Sequence, residues 1–428
     1  MNGAEALMWT LDAEPSLRSS FMGITFLDAP PDPVRMRARM IEAVEANPIM
    51  SERVVLSPFD LANPRWERDH TFDLDYHLRH VALPPPGTRR QLLDLAAVIY
   101  ADPFDRSRPL WQFTVVEGLD GGGAALLAKM HHVISDGIGA VRLSVSFLDL
   151  SPTGDSLAGP RRDPPAVPSR NLLETFAPVV TGTIGNVMRA PGTIRSLGRQ
   201  LAVTDRARSP LWRERSNAHR FDLVSIDLDR TRGVARKLGG TVNDVYVAMI
   251  ATAAGDYHRR LGEPVEELRM AMPISVRHDH EVAGNAWIPA RLLVPTGDMP
   301  AAERVAAIHE LVGAARREPA GSLAEPLAML VRHVPSPVLL RLARQQISTV
   351  DFACSNVRGA PFDLWISGAH VEGNHPMGPT AGAAFNATVL SYRDRLDLGL
   401  SCDTGAVGDP ALLRDCIEEA TEAVLEAG

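Results

Sequence analysis

The stretch AALLAKMHHVISDGIGAVRLSVSFL, residues 124–148, carries the pattern on which the fold turns. Its first part is an apolar run of strand length, and it predicts a strand over 124–134. Its second part spaces Ile138, Val141, Val145 and Leu148 at helical intervals, and it predicts a helix over 138–148. Another strand is expected over 112–117, across the glycine-rich 118–123. Between strand and helix stand His131, His132, Ser135 and Asp136, with Gly137 permitting a sharp turn. Side chains alternate along a strand, so His132 should share a face with Leu126, Ala128, Met130 and Ile134. His131 should then lie with Leu127, Lys129 and Val133. The two histidines therefore need not do the same job.

Outward from this stretch, strands and helices keep mixing. Asp32, Pro33 and the spacing of Val34, Ala38, Ile41 and Val44 predict a helix over 33–46, stopped by Pro48. Residues 151–168 are rich in proline and glycine. From 161 to 220 there are eleven arginines against Asp163, Glu174, Asp205 and Glu214. Beyond it come a strand over 223–228, a helix over 242–261, a strand-like 271–276, an amphipathic stretch over 301–317, and a final helix. Asp409 and Pro410 open that last helix, and Leu413, Ile417, Ala420 and Val424 line one side. The fold class is thus α/β (α+β), divided into an N-terminal domain over 1–160, an arginine-rich linker over 161–220 and a C-terminal domain over 221–428.

The composition of the 428 residues is that of an ordinary globular protein, with 45% hydrophobic and 22% charged residues. A net charge of −8 argues against a nucleic-acid binder. Cys354, Cys402 and Cys416 show no metal-ligand spacing, and their odd number suits a reducing compartment. No basic stretch followed by an apolar run opens the chain, and no uncharged apolar run reaches ~18 residues, so a cytoplasmic protein is expected. The linker, about +7 by this count, and the stretch 326–347, where Leu327, Leu330, Val331, Val334, Val338, Leu339 and Leu342 alternate with Arg332, Arg341 and Arg344, could touch a membrane or lipid droplet from one side. A solvated connector and a helix packed on the core are the plainer readings.

The histidines define the chemistry. A hydroxyl is a poor nucleophile until its proton is removed, and imidazole, with an ordinary pKa of ~6.5, is the natural base near neutral pH. Asp136 suits holding the loop through an arginine, Arg53 or Arg277. A metal site is the obvious rival, but neighbouring strand residues diverge and no further ligand cluster is near, so no metal is expected.

HHVISDG, residues 131–137, resembles the HHxxxDG motif of the CoA-dependent acyltransferase superfamily. Further segments are similar, in order, to the bacterial wax ester synthase/diacylglycerol acyltransferases. They are FDLDYHLRHVALPPPG (72–87), RSRPLWQF (106–113), TVNDVYVA (241–248), PISVR (273–277) with Gly284 and Asn285, SNVRGAP (355–361) and FNATVLSYRDRLDLGLSCD (385–403). The family usually has proline where Arg358 stands, and residues 8–28 resemble its opening only loosely. The resemblance implies two chloramphenicol-acetyltransferase-like domains with a tunnel between them, His132 as the base, and direct transfer without an acyl-enzyme. It implies acyl-CoA as co-substrate, no permanently bound cofactor, and a fatty alcohol or diacylglycerol as hydroxyl acceptor. Asn243 and Asp244 map onto its Asn-Asp pair, although Thr241 and Asn243 also read as a helix cap. Ser355 and Asn356 fall in its C-terminal signature. Two alternatives stay open, namely acylation of a natural-product or sugar hydroxyl from CoA or a carrier protein, and an inactive lipid-binding homologue.

Overall fold

The computed structural model describes residues 1, 3–57, 63–135, 137–154, 207–275, 287–317, 340–341, 343 and 349–427. Two six-stranded sheets carry the architecture. In chain order the strands are β1 (Ser20–Leu27), β2 (Glu52–Val55), β3 (Arg65–Arg68), β4 (Leu78–Ala82), β5 (Trp111–Glu117), β6 (Ala124–His131) and β7 (His219–Asp227). They continue as β8 (Glu267–Ser275), β9 (Trp287–Pro295), β10 (Phe352–Arg358), β11 (Trp365–Ile366), β12 (Ala369–Met377), β13 (Phe385–Tyr392) and β14 (Arg395–Asp403). The helices are α1 (Gly3–Leu11), α2 (Pro33–Ala46), α3 (Leu74–His77), α4 (Arg89–Ala101), α5 (Gly137–Ser144), α6 (Leu228–Lys237), α7 (Val242–Arg260), α8 (Ala301–Arg317) and α9 (Pro410–Glu426).

The first sheet has the order β11-β12-β1-β6-β5-β4, and the second β7-β14-β13-β10-β8-β9. Residues 365–377, which the sequence places with the second half, are therefore built into the first sheet, where β12 pairs antiparallel with β1. That crossover needs a close approach. A Cβ on Gly399 of β14 would stand 2.1 Å from the Pro376 carbonyl, so only glycine lets β12 run against β14 there. Asn374 N–H donates to Asp397 at 2.8 Å along the same line. From the other side, Arg90 of α4 donates to the Phe221 carbonyl at 2.8 Å and to Asp222 at 3.0 Å, and Tyr100 packs edge-on to Phe221.

Helix α2 has the expected bounds and its Asp32 cap, but not the expected face. Met36, Met40 and Ala43 are buried, whereas Val34 is 77% and Ile41 44% exposed. Two stripes of apolar residues compete on this helix, and the flexible methionines fill the space against the first sheet. In the second half, α7 is buried on nearly every side beneath its sheet, and α9 buries Leu413, Ile417, Ala420 and Val424 as expected. The strand expected over 223–228 begins earlier, at His219, and Asp227 ends it by capping α6. The end of the linker expected over 161–220 is instead part of the second half, with Trp212 buried in its core and β7 starting at His219, while residues 161–206 lie outside the described residues. So does the stretch 326–347, apart from residues 340, 341 and 343. Among the described residues no helix is long and apolar enough to cross a membrane.

Candidate active site

Strand β6 stops at His131, three residues short of the expected end. Its last pair with β1 is Ser20↔His131, and beyond that β1 has no residues left to offer. The chain turns instead. The His132 N–H donates to the Ser19 carbonyl at 2.9 Å and the Ile134 N–H to the His131 carbonyl at 3.0 Å. His132 is thus not a strand residue sharing a face with Met130. It stands on a turn, which frees its side chain from the sheet's alternation. Helix α5 is also shorter than expected, because Ser144 and Ser146 donate back to the Val141 and Leu143 carbonyls and cap its end.

The two histidines differ, as the sequence suggests, but through contacts it does not show. His131 is buried; its Nδ1 accepts from the Val133 N–H at 3.1 Å, which leaves the proton on Nε2. Nε2 lies 2.9 Å from Asp12 Oδ1. Asp12 also accepts from the Ser19 N–H at 3.1 Å and pairs with Arg106 at 3.3 Å, and the Arg106 guanidinium lies 3.9 Å over the Trp9 ring. Burial raises the Asp12 carboxyl, but the His131 hydrogen bond and charge, the Ser19 N–H and Arg106 outweigh it and hold it below its usual value. His131 is therefore a scaffold residue.

His132 keeps part of its surface exposed, but its Nδ1 is buried and its ring lies against Phe21 at 4.6 Å between centroids. Burial pushes its pKa down to about 4, the neighbouring His131 acts in the same direction, and a hydrogen bond to the Ser135 backbone opposes both. The imidazole is neutral at physiological pH, and a neutral imidazole carries a lone pair that can accept a proton.

The remaining expected residues are distributed around this turn. Asp136 lies outside the described residues, as do Arg277, Gly284 and Asn285; Gly137 opens α5. Arg53 stands 3.7 Å from Glu67. Asp244 is a buried cap: it accepts from the Thr241 N–H, the Thr241 hydroxyl and His309 Nδ1, each at 2.8 Å. Asn243, one residue earlier, faces the other way. It accepts from Asn356 Nδ2 at 3.5 Å and approaches Met272. Asn356 and Ser355 sit on β10, and α5 packs against β10, so the helix after His132 and the Asn-Asp pair meet on one strand.

Trp9, Asp12, Ser19 and Phe21 surround the histidines and no motif marks them; Arg106 joins them from the RSRPLWQF segment, where the sequence assigns it no role. All but Arg106 lie in the opening segment that resembles the family loosely. Only the register of β1 on β6 could have pointed to them, since it sets Ser20 opposite His131.

Two lobes, each built on a six-stranded sheet, share the crossover strand β12, and a neutral imidazole stands on the turn that follows β6. Residues 1–246 match the wax ester synthase/diacylglycerol acyltransferase catalytic domain and residues 284–424 match the C-terminal domain of the same family. The chain belongs to that family and is an O-acyltransferase. Two proteins of Mycobacterium tuberculosis, each provisionally named a diacylglycerol O-acyltransferase, resemble it. One is 30% identical over 98% of this chain and 90% of its own length, the other 31% identical over 95% and 93%. The wax ester synthase/diacylglycerol acyltransferase from Marinobacter aquaeolei VT8 superposes with a TM-score of 0.70 at 25% identity, covering 100% of this chain and 99% of that one. The starter condensation domain of rhizomide synthetase, solved with C8-CoA, has a TM-score of 0.62 at 12% identity, covering 99% of this chain and 94% of that one, and shares the fold.

Proposed function

We propose that this acyltransferase moves a long acyl chain from acyl-CoA to the hydroxyl of a fatty alcohol or diacylglycerol, with His132 as general base. The observation that carries the reading is the placement of His132, neutral and packed on Phe21 on the turn before α5, the helix that packs against β10 of the second sheet. The hydroxyl oxygen attacks the thioester carbonyl while its proton passes to the imidazole. The tetrahedral intermediate then collapses, the C–S bond breaks, and the proton is delivered to the departing thiolate. A pKa near 4 makes a weak base in the resting site, but negative charge developing beside the imidazolium supports the proton as it arrives. The named activities of the relatives support the choice of acceptor. Asn243, Asn356 and Ser355 would line the tunnel between lobes, and Asp136 would order the loop behind the base.

The test is His132→Ala assayed by thiol release from acyl-CoA. Turnover should fall by ~10²–10⁴-fold with folding intact, the usual contribution of general-base catalysis. Near-normal turnover in the folded variant would remove the assignment. Reversible contact with a lipid surface through residues 161–220 would bring aliphatic acceptors to the site. Flotation with anionic liposomes that fades with salt would support that contact, and no flotation at any composition would refute it.

A further inference from the structure

Between α6 and α7 opens a cleft of about 450 Å³, lined by Asp229, Arg232, Ala235, Arg236, Gly240, Thr241 and Val242. Its volume lies within the ~300–1,000 Å³ range of small-molecule sites. The walls are fixed by the turn between the helices. Gly239 adopts φ +70°, the Gly240 N–H donates to the Ala235 carbonyl at 2.9 Å, and a Cβ on Gly240 would come within 3.1 Å of Val305. The short turn leaves no freedom for α6 to swing away from the start of α7.

Arg232 and Arg236 are one turn apart on the exposed side of α6 and both reach this cleft. The only carboxylate in the lining is Asp229, which sits 2.9 Å from Arg232 and steadies it from one side. Asp244 lies behind the wall, its Oδ2 already shared by Thr241 and His309. The lining therefore carries an excess of positive charge in a chain of net charge −8. Thr241 and Val242 continue directly into Asn243, which meets Asn356 on β10, the strand against which α5 packs. The cleft thus adjoins the Asn-Asp pair, which is linked through β10 to the helix that follows the base.

A CoA thioester has this layout, with a reactive carbonyl at one end, a long flexible arm, and a phosphate-bearing nucleotide at the other. We propose that the α6–α7 cleft holds the nucleotide end of the acyl-CoA donor, with Arg232 and Arg236 pairing its phosphates; this rests on acyl-CoA being the donor. Guanidinium–phosphate contacts are charge-assisted and often two-pronged, and two of them fix the end of the arm. Val242, partly exposed in the lining, offers an apolar contact for the adenine.

The experiment compares a long-chain acyl-CoA with the same acyl group on N-acetylcysteamine, which keeps the thioester and lacks the nucleotide. It also uses adenosine 3′,5′-bisphosphate as a competitor. Arg232→Ala and Arg236→Ala should each raise KM for acyl-CoA by roughly tenfold with kcat little moved, matching the loss of one charged hydrogen bond. Inhibition by the bisphosphate should weaken by a similar factor, and Arg236→Lys should recover most of the loss. Wild-type KM and inhibition in both alanine variants, with the wild type still preferring acyl-CoA, would overturn the cleft and leave the donor standing. A wild-type enzyme that gains nothing from the nucleotide and ignores the bisphosphate would overturn the donor assignment, and the cleft with it.

Discussion

Acidification is the sharpest probe of His132, because burial separates its folded and unfolded behaviour. In the unfolded chain the imidazole protonates near pH 6.5, and in the folded enzyme only near pH 4. Above pH 6.5 both states are neutral and the group contributes nothing to the pH dependence. As pH falls from 6.5 towards 4 the unfolded state binds a proton that the folded state refuses, so stability declines through that window. Between pH 7.5 and pH 5 the linkage amounts to about 2 kcal/mol for this one side chain, a sizeable share of a typical 5–15 kcal/mol. His77, His219, His258 and His375 are also pushed down by burial and add to the same slope, so the measurement must be differential. Urea unfolding of wild type and His132→Ala at pH 7.5 and pH 5 gives it, with the variant losing about 2 kcal/mol less on acidification. The kcat/KM profile is the kinetic counterpart, because the base should stay unprotonated down to about pH 4. An acid limb near pH 6.5 in a fully folded enzyme, or equal acid sensitivity of the two proteins, would show that burial does not hold this imidazole neutral.

Three further outcomes are expected. Asp12→Asn removes the charge beside His131 and Arg106, and should cost roughly 1–3 kcal/mol of stability by urea midpoint while lowering kcat more than it changes KM; unchanged kcat would show that the Asp12–His131 contact does not position the turn. Asp244→Ala strips three hydrogen bonds from the start of α7 and should lower the melting temperature, at about 1–2 kcal/mol, with little effect on the pH–rate profile. Lost activity at wild-type melting temperature would instead place Asp244 in contact with substrate. Intact-protein mass spectrometry during turnover should reveal no acyl adduct, and a chemically competent adduct would contradict direct transfer.

Local signals were legible wherever one stretch of chain contains all the partners. The caps at Asp32 and Asp409 and the Thr241 box at the start of α7 involve residues three apart, so sequence spacing alone dictates them. The mixed strand–helix pattern and the HHVISDG stretch were equally plain, since both are short and contiguous. Composition and spacing thus determined the fold class and the helix bounds of α2, and they singled out the two histidines. Tertiary structure decided the rest, because the deciding partners are far apart in the chain. β6 ends at His131 because β1 begins at Ser20, and that places His132 on a turn rather than a sheet face. Asp12 reaches His131 only because the segment before β1 folds back over the end of β6. α2 buries its methionines rather than Val34 and Ile41 because the surface it covers, not its own periodicity, selects between two stripes. β12 joins the first sheet because Gly399 leaves room for the crossing, a steric fact that appears only when the two strands are brought together.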